Sequence, residues 1–176
     1  TVAKFYLYEH DRSKYGAENQ AEVEDWMIKY FLREMLDGRR QFDLGLQAVV
    51  FAAKAGRGSG ATKKAKVLHD RILQLYANGD DTPIPSLEYG KQRPLLLPNE
   101  ACALTGEPLR IKLVMSEQNR KKDNEAALRE FKAGDCEILV GDNIHATGLD
   151  APFAKYMLNF AKFTTVKKVK RKGRVV

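Results

Sequence analysis

The stretch ILVGDNIHATGLDAPFAKYMLNF, residues 138–160, decides how this chain folds. An apolar run over residues 138–140 leads into a polar loop that contains Gly148 and Asp150, and a second apolar run follows at 156–158. Short apolar runs bounded by turn residues are typical of strands buried in a sheet. The stretch therefore predicts two buried strands whose connecting loop presents the sequence Gly-Leu-Asp.

Strands and helices alternate along the rest of the chain. Strands are predicted at residues 2–8, 46–53, 109–115, 137–141 and 156–160, and helices at 17–38, 62–79 and 123–134. Strands separated by helices of this length predict right-handed βαβ units and a parallel sheet. The predicted fold class is therefore α/β, with a parallel sheet flanked by helices.

Helical spacing of apolar residues predicts which side of each helix is buried. In the first helix this side is formed by Val23, Trp26, Met27, Tyr30, Phe31 and Met35. In the second it is formed by Ala65, Leu68, Ile72, Leu75 and Tyr76, and in the third by Ala127, Leu128 and Phe131. His69 lies beside the apolar side of the second helix, so a partly buried structural role is expected for it.

Residues 80–108 interrupt the alternation with a long, proline-rich stretch of little periodicity. Connections of this length are uncommon inside compact domains. Two interpretations stay open: a flexible insertion, or a segment that packs through Leu95, Leu96 and Leu97 and has a binding role of its own. The expected organisation is a single domain over residues 1–176, with this insertion and a basic C-terminal tail at 166–176.

The composition is that of an ordinary soluble protein with an excess of positive charge. Lys and Arg number 30 against 23 Asp and Glu, a formal net charge of +7. This excess favours an anionic partner such as nucleic acid without selecting one. No stretch approaches the ~20 apolar residues of a membrane span, and no signal peptide is recognisable, so no membrane partner is expected.

The glycine-rich segment AGRGSGATKK, residues 55–64, precedes the second helix but is not a Walker-type phosphate loop. The second glycine and the lysine of that pattern fall on Ala61 and Thr62. A glycine-rich turn at a helix N-terminus, flanked by Lys54 and Arg57, still offers backbone N–H groups and positive charge to a phosphate. A nucleic-acid backbone, a nucleotide and a merely flexible loop all stay open.

Histidines and cysteines form no pattern of metal binding or nucleophilic catalysis. The histidines, residues 10, 69 and 145, are far apart, and no metal site is predicted. Cys102 and Cys136 lack metal-ligand spacing, so free thiols in a reducing, intracellular compartment are expected.

The motif order along the chain resembles that of superfamily-two helicases. FKAGDCEILVGDNIHATGLDAP, residues 131–152, resembles their motif V, and the DEAD-box RNA helicases resemble it most. Residues 46–54 resemble the motif IV strand, and residues 2–15 resemble the strand that opens the second RecA-like domain. KRKGR, residues 170–174, resembles motif VI, so the resemblance covers nearly the whole chain apart from residues 80–108.

Several motif positions depart from the family. Asp142-Asn143 replace a Thr-Asp pair, Thr147 replaces an arginine, Lys121 and Asn124 replace a glutamine and an arginine, and Lys170 and Lys172 replace a histidine and an aliphatic residue. A carboxylate at position 142 repels an RNA phosphate, whereas a threonine hydroxyl at the same position would donate a hydrogen bond to it. Degenerate motifs with a weakened grip on RNA and ATP are therefore expected.

The resemblance implies ATP with Mg²⁺ as cofactor, bound between two RecA-like domains of which this chain is the second. It assigns Asp150 to the ribose hydroxyls, with Gly148 permitting the turn that presents it. It assigns Arg174 to the γ-phosphate as an arginine finger, supported by Arg171.

For RNA, the resemblance implies contact with the backbone at Lys54 and Arg57, with Asp142 close by. The Walker A lysine and the carboxylates that hold Mg²⁺ belong to the first RecA-like domain, which nothing in this chain resembles. Because both ends fall within structured or motif segments, a fragment of a longer protein is expected. The chain on its own is then expected neither to hydrolyse ATP nor to unwind RNA.

Three functions are compatible with this resemblance. The first is the C-terminal domain of an ATP-dependent RNA helicase, acting on ribosomal or other RNA in the assembly of a ribonucleoprotein particle. The second is a catalytically degenerate assembly factor that binds RNA and the particle's proteins, in mitochondria, another organelle, the nucleus or the cytoplasm. The third is a DNA-translocase motor domain of the type I restriction kind; the strand at 2–8 and the spacing to residues 170–174 favour the RNA branch.

Overall fold

The computed structural model describes residues 20–37, 47–52, 61–115, 121–141 and 156–160. The helices are α1 (Gln20–Asp37), α2 (Ala61–Asn78) and α3 (Lys121–Lys132). The strands are β1 (Ala48–Phe51), β2 (Asp80–Pro85), β3 (Gln92–Leu96), β4 (Ile111–Val114), β5 (Ile138–Gly141) and β6 (Tyr156–Asn159). None of the helices described is both long enough and apolar enough to cross a membrane.

The chain divides into two compact units. One comprises residues 1–5, 40–71 and 109–176, and the other comprises residues 6–39 and 72–108. We call them the sheet unit and the hairpin unit, after their strands.

The described segments of the sheet unit form a four-stranded parallel sheet with the strand order β4-β5-β1-β6. All four residues of β1 and all four of β5 are buried, as continuous apolar runs in a parallel sheet require. The predicted α/β fold with a parallel sheet and flanking helices is therefore confirmed. The strand predicted at residues 2–8 lies outside the described residues.

Helix α3 ends where its sequence predicts. Gly134, with φ 83°, follows it and donates to Phe131 O at 3.1 Å, while Asp135 donates to Glu130 O at 2.8 Å. This is the Schellman arrangement, in which a glycine in the left-handed region satisfies the last carbonyls of a helix. Of the predicted inner side of α3, Ala127 and Phe131 are buried, as predicted, and Leu128 is half-buried.

The hairpin unit contains the antiparallel pair β2–β3, which the sequence analysis did not predict. Its prolines include Pro83 and Pro94, which are paired across the two strands. Proline cannot donate to a ladder and is therefore confined to edge strands, but both strands of a two-stranded ribbon are edges. A proline-rich sequence can thus form this hairpin, although it reads as a loop.

Helix α1 packs against β3, and it does so through a different side from the one predicted. The fully buried side chains of α1 are Ile28, Leu32, Met35 and Leu36. Of the predicted side only Met35 belongs to this set, and Tyr30 is 47% exposed. Trp26 and Tyr30 instead stack on each other, with ring centroids 5.7 Å apart. The error arose because apolar residues surround most of this helix.

A cluster of four charged side chains ties α1 to the rest of the hairpin unit. Arg33 binds Glu100 through Nη1 at 2.9 Å and Nη2 at 2.5 Å, and it binds Asp37 through Nε at 3.0 Å. Arg93 donates to both carboxylate oxygens of Glu100 at 3.0 Å. Arg33 also donates to Leu95 O at 3.1 Å. The charges balance, as buried ionic groups require.

These bonds determine the ionisation of the cluster. Burial by itself raises the pKa of Glu100, but the bonds and charges of Arg33 and Arg93 and the bond from the Leu97 N–H together outweigh burial and leave the pKa lowered. Burial by itself lowers the pKa of Arg33, but its bonds to Glu100 and Asp37 outweigh that effect and leave the pKa raised. Both partners therefore stay charged inside the unit.

Candidate nucleotide and nucleic-acid site

The candidate site begins at the carboxyl ends of three neighbouring strands, β5, β1 and β6. Phe51, the last residue of β1, is level with Gly141 of β5 and with Asn159 of β6. The ladder continues one step further, because Ala52 donates to Gly141 O at 2.8 Å and Phe160 donates to Phe51 O at 2.9 Å. We call these three strand ends the carboxyl edge.

Parallel strands that end together create the usual ligand site of an open α/β sheet. Neighbouring strands lie about 4.8 Å apart, so chain segments that leave β5 and β6 begin within about 10 Å of each other. The described strands therefore bring the starts of three segments to one edge of the sheet.

The predicted site residues follow these three strands in sequence. Lys54 and Arg57 come after β1, Asp142, Gly148 and Asp150 come after β5, and Arg171 and Arg174 come after β6. All of them lie outside the described residues, so their assigned roles stay predictions.

Asn124 fixes α3 to the end of β4 beside the candidate site. Its Oδ1 accepts a hydrogen bond from the backbone N–H of Met115 at 3.1 Å, and its Nδ2 donates to the carbonyl of the same residue. A carboxamide has one acceptor and one donor group, so it can pair with both polar groups of a backbone residue. Met115 is buried, so this pairing satisfies groups that water does not reach.

Sequence comparison with the family missed this role of Asn124. From the resemblance, position 124 was noted only because the family has an arginine where this chain has an asparagine. The available signal was chemical: an asparagine in the first turns of a helix after a buried strand can bond backbone groups. The side chain at this position is thus engaged in holding the fold.

At the opposite, amino-terminal end of the sheet, Arg110 and Glu137 form an ion pair. Arg110 Nε donates to Glu137 Oε2 at 2.9 Å, and its Nη2 donates to Gly134 O at 3.1 Å. The bond to Glu137 raises the pKa of Arg110. Because ligands of open sheets bind at the carboxyl ends, this pair has a structural role.

Histidine and cysteine side chains of the described segments are structural too. His69 lies within hydrogen-bonding distance of Ile111 O, at 3.3 Å, and of Asp70 Oδ1, at 3.1 Å, with 15% of its side chain exposed, as predicted. Cys102 and Cys136 are buried free thiols, as predicted, and burial raises the pKa of Cys136 to about 11. The described segments contain no group of three or more His, Cys, Asp or Glu placed to hold a metal ion.

Residues 102–176 match the family model of the helicase conserved C-terminal domain. The matched segment contains β4, α3, β5 and β6, and it includes the stretches that resemble motifs V and VI. The match supports a C-terminal domain of a superfamily 1 or superfamily 2 helicase, and hence a helicase-related role with a nucleotide and a nucleic acid as partners. Strand β1 lies before the matched segment, yet it is the strand that joins β5 to β6 in the parallel sheet.

Proposed function

We propose that this chain is the C-terminal RecA-like domain of an ATP-dependent RNA helicase of the DEAD-box type. The observation that carries the proposal is the register of β5, β1 and β6, which end level with one another. As the sequence resemblance assigns them, motif V continues from β5, motif IV is formed by β1 and the residues directly after it, and motif VI follows β6. A nucleotide site and an RNA site that share one sheet edge can be coupled through it.

The proposed chemistry divides the work among three segments. Asp150 holds the ribose, and Arg174 stabilises the charge that develops on the γ-phosphate during phosphoryl transfer. Lys54 and Arg57 hold the RNA backbone by charge, which provides affinity without reading the sequence. ATP with Mg²⁺ supplies the free energy of the cycle, and the Mg²⁺ ligands are assigned to a first RecA-like domain.

The decisive experiment uses the protein that carries this chain together with a first RecA-like domain. ATP hydrolysis is measured with and without single-stranded RNA, for the parent protein and for Arg174→Ala. Loss of an arginine finger lowers the rate by about a thousandfold or more. The matched control is Arg129→Ala, an exposed arginine of α3, for which an unchanged rate is expected. Equal rates for Arg174→Ala and the parent would rule out the finger.

A second candidate function is supported by Asn124. An asparagine that is engaged with Met115 replaces a family arginine, which favours a relative that keeps the fold and loses part of the motor. We propose for this case an assembly factor that binds RNA within a ribonucleoprotein particle such as a maturing ribosome. RNA binding without ATP binding would select this function, whereas stimulation by double-stranded DNA in place of RNA would select a DNA translocase.

A further inference from the structure

The two units carry opposite net charges. The hairpin unit, residues 6–39 and 72–108, contains thirteen Asp and Glu against seven Lys and Arg, a formal net charge of −6. The sheet unit contains the other ten acidic and twenty-three basic residues, a formal net charge of +13, and the two values give the +7 of the whole chain. The excess of positive charge in the whole chain therefore comes from the sheet unit alone.

The described cations of the hairpin unit are already paired. In the described part of this unit, residues 20–37 and 72–108, the Lys and Arg side chains are Lys29, Arg33, Lys91 and Arg93. Lys29 binds Asp80 at 2.7 Å, Lys91 binds Glu88, and the two arginines bind Glu100. Nucleic-acid affinity comes from cations that neutralise phosphates, so this surface is poorly suited to a nucleic acid.

The turn that joins β2 to β3 has a defined conformation. Ser86 donates its backbone N–H to Lys91 O at 2.9 Å, and Lys91 donates to Glu88 O at 3.2 Å. Gly90 has a φ of 76°, which suits the third position of a type II turn. We call residues 86–91 the hairpin tip. A partner that binds such a preformed turn loses little conformational entropy.

The hairpin tip presents two large apolar side chains to solvent. Leu87 is 60% exposed and Tyr89 is fully exposed, whereas Leu95 and Leu96 of the same hairpin are buried. The tip side chains thus contribute nothing to the core of the hairpin unit. Tyrosine is enriched among the residues that dominate protein interfaces, because it combines a large apolar ring with a hydroxyl group.

We propose that the hairpin tip is a docking site for a partner protein, which it recognises as a basic segment carrying apolar side chains. Leu87 and Tyr89 supply the apolar contact, and the net negative charge of the hairpin unit attracts the segment's Lys and Arg residues. The same charge repels nucleic acid, so the sheet unit and the hairpin unit take different classes of partner. This interaction is independent of the proposed helicase cycle.

The test uses the full chain and a fluorescein-labelled amphipathic peptide of leucine and lysine, measured by fluorescence anisotropy. We expect the double variant Leu87→Ser/Tyr89→Ser to bind this peptide at least about tenfold more weakly than the parent. Added salt is expected to weaken binding by the parent, since its attraction is partly electrostatic. The matched control is Leu97→Ser, which removes another exposed leucine of the hairpin unit and is expected to leave binding unchanged.

Three outcomes would overturn the proposal. Equal peptide affinity of the parent and the double variant would show that the hairpin tip is not the site. If the parent bound a matched peptide of leucine and glutamate as tightly as the peptide of leucine and lysine, charge would have no part in the recognition. If the double variant lost binding to oligouridine RNA, the hairpin tip would be assigned to nucleic acid. If it lost concentration-dependent self-association, the tip would be assigned to a second copy of the chain. The exposed positions of both residues keep the variant folded, which circular dichroism verifies.

Discussion

Arg33 of α1 and Glu100 form a two-point ion pair across 67 residues of sequence. Only 7% of the arginine side chain and 11% of the glutamate side chain is exposed to solvent. Removal of one partner leaves the other as an uncompensated buried charge, which is strongly destabilising. The pair therefore holds α1 to the segment that follows β3.

We expect Arg33→Ala to lower the free energy of unfolding by about 3 kcal/mol, because Glu100 and Asp37 lose their main partner. Urea unfolding followed by tryptophan fluorescence reports on this unit, since Trp26 lies in α1. Lys66→Ala is the control: it removes an exposed pair with Asp70, and a change of at most about 0.5 kcal/mol is expected. A similar small change for Arg33→Ala would contradict a stabilising cluster.

The ion pair of Asp80 makes the stability of the folded chain depend on pH. Its hydrogen bond from Lys29, with a second from Thr82, lowers its pKa from 3.8 to about 2. Because the folded pKa is depressed, the stabilisation is present above pH 3.8 and is lost as the pH falls towards about 2. We expect Asp80→Asn to be less stable than the parent by about 1 kcal/mol at pH 6, with the difference vanishing near pH 2.

A stability difference for Asp80→Asn that stays constant over this pH range would contradict the assignment. Thermal unfolding of both proteins, measured at several pH values, makes the comparison. Asp81→Asn is the control, because it changes the neighbouring exposed carboxylate on the same strand.

Gly79 permits the close approach between the end of α2 and the end of β3. It has a φ of 67°, and a Cβ atom at this position would lie 2.8 Å from Leu96 O and from the Pro98 nitrogen. We expect Gly79→Ala to destabilise the chain by more than about 2 kcal/mol, because the steric overlap adds to the strain of the left-handed backbone.

Gly90→Ala is the matched control for Gly79→Ala. Gly90 has a φ of 76°, but no atom lies within 4 Å of its Cβ position. Only the backbone strain remains, so a cost of about 1 kcal/mol is expected. Equal losses of unfolding free energy for the two variants, measured in urea, would mean that the close approach to Leu96 and Pro98 contributes nothing.

Asn124→Ala is expected to lower the free energy of unfolding by about 2 kcal/mol, because both backbone groups of Met115 lose a partner inside the protein. Asn124→Asp keeps the acceptor and loses the donor, so it is expected to be less stable than the parent as well. Glu125→Ala changes an exposed neighbour in α3 and is expected to have little effect. If Asn124→Ala were as stable as Glu125→Ala, the pairing with Met115 would not hold α3.

The parallel sheet could be predicted from the sequence because its signals are local. The apolar runs that became β1 and β5 have no polar residue within the strand, and such runs have few alternatives to a buried position. The order of the motifs then predicted a superfamily-two helicase. The match of residues 102–176 to the helicase conserved C-terminal domain supports this prediction at that coarser level.

The hairpin unit could not be predicted, for two physical reasons. Proline at positions 83 and 94 removes ladder donors, and this loss is tolerated because β2 and β3 pair with no further strand in the described part of the chain. In addition, the stabilisation by Arg33 and Glu100 depends on a pairing between distant residues, which no local pattern reveals. The seven residues predicted at the candidate site stay predictions until their own contacts are measured.

The two sheets share no strand, and this separation has an evolutionary consequence. A substitution, insertion or deletion within the β2–β3 ribbon leaves the pairing of β5, β1 and β6 unchanged, because none of those strands bonds to the ribbon. Selection can therefore alter the choice of partner at the hairpin tip while the strands that end at the carboxyl edge stay under separate constraint. Recruitment to a new assembly would then require few changes, all of them outside the ancestral sheet.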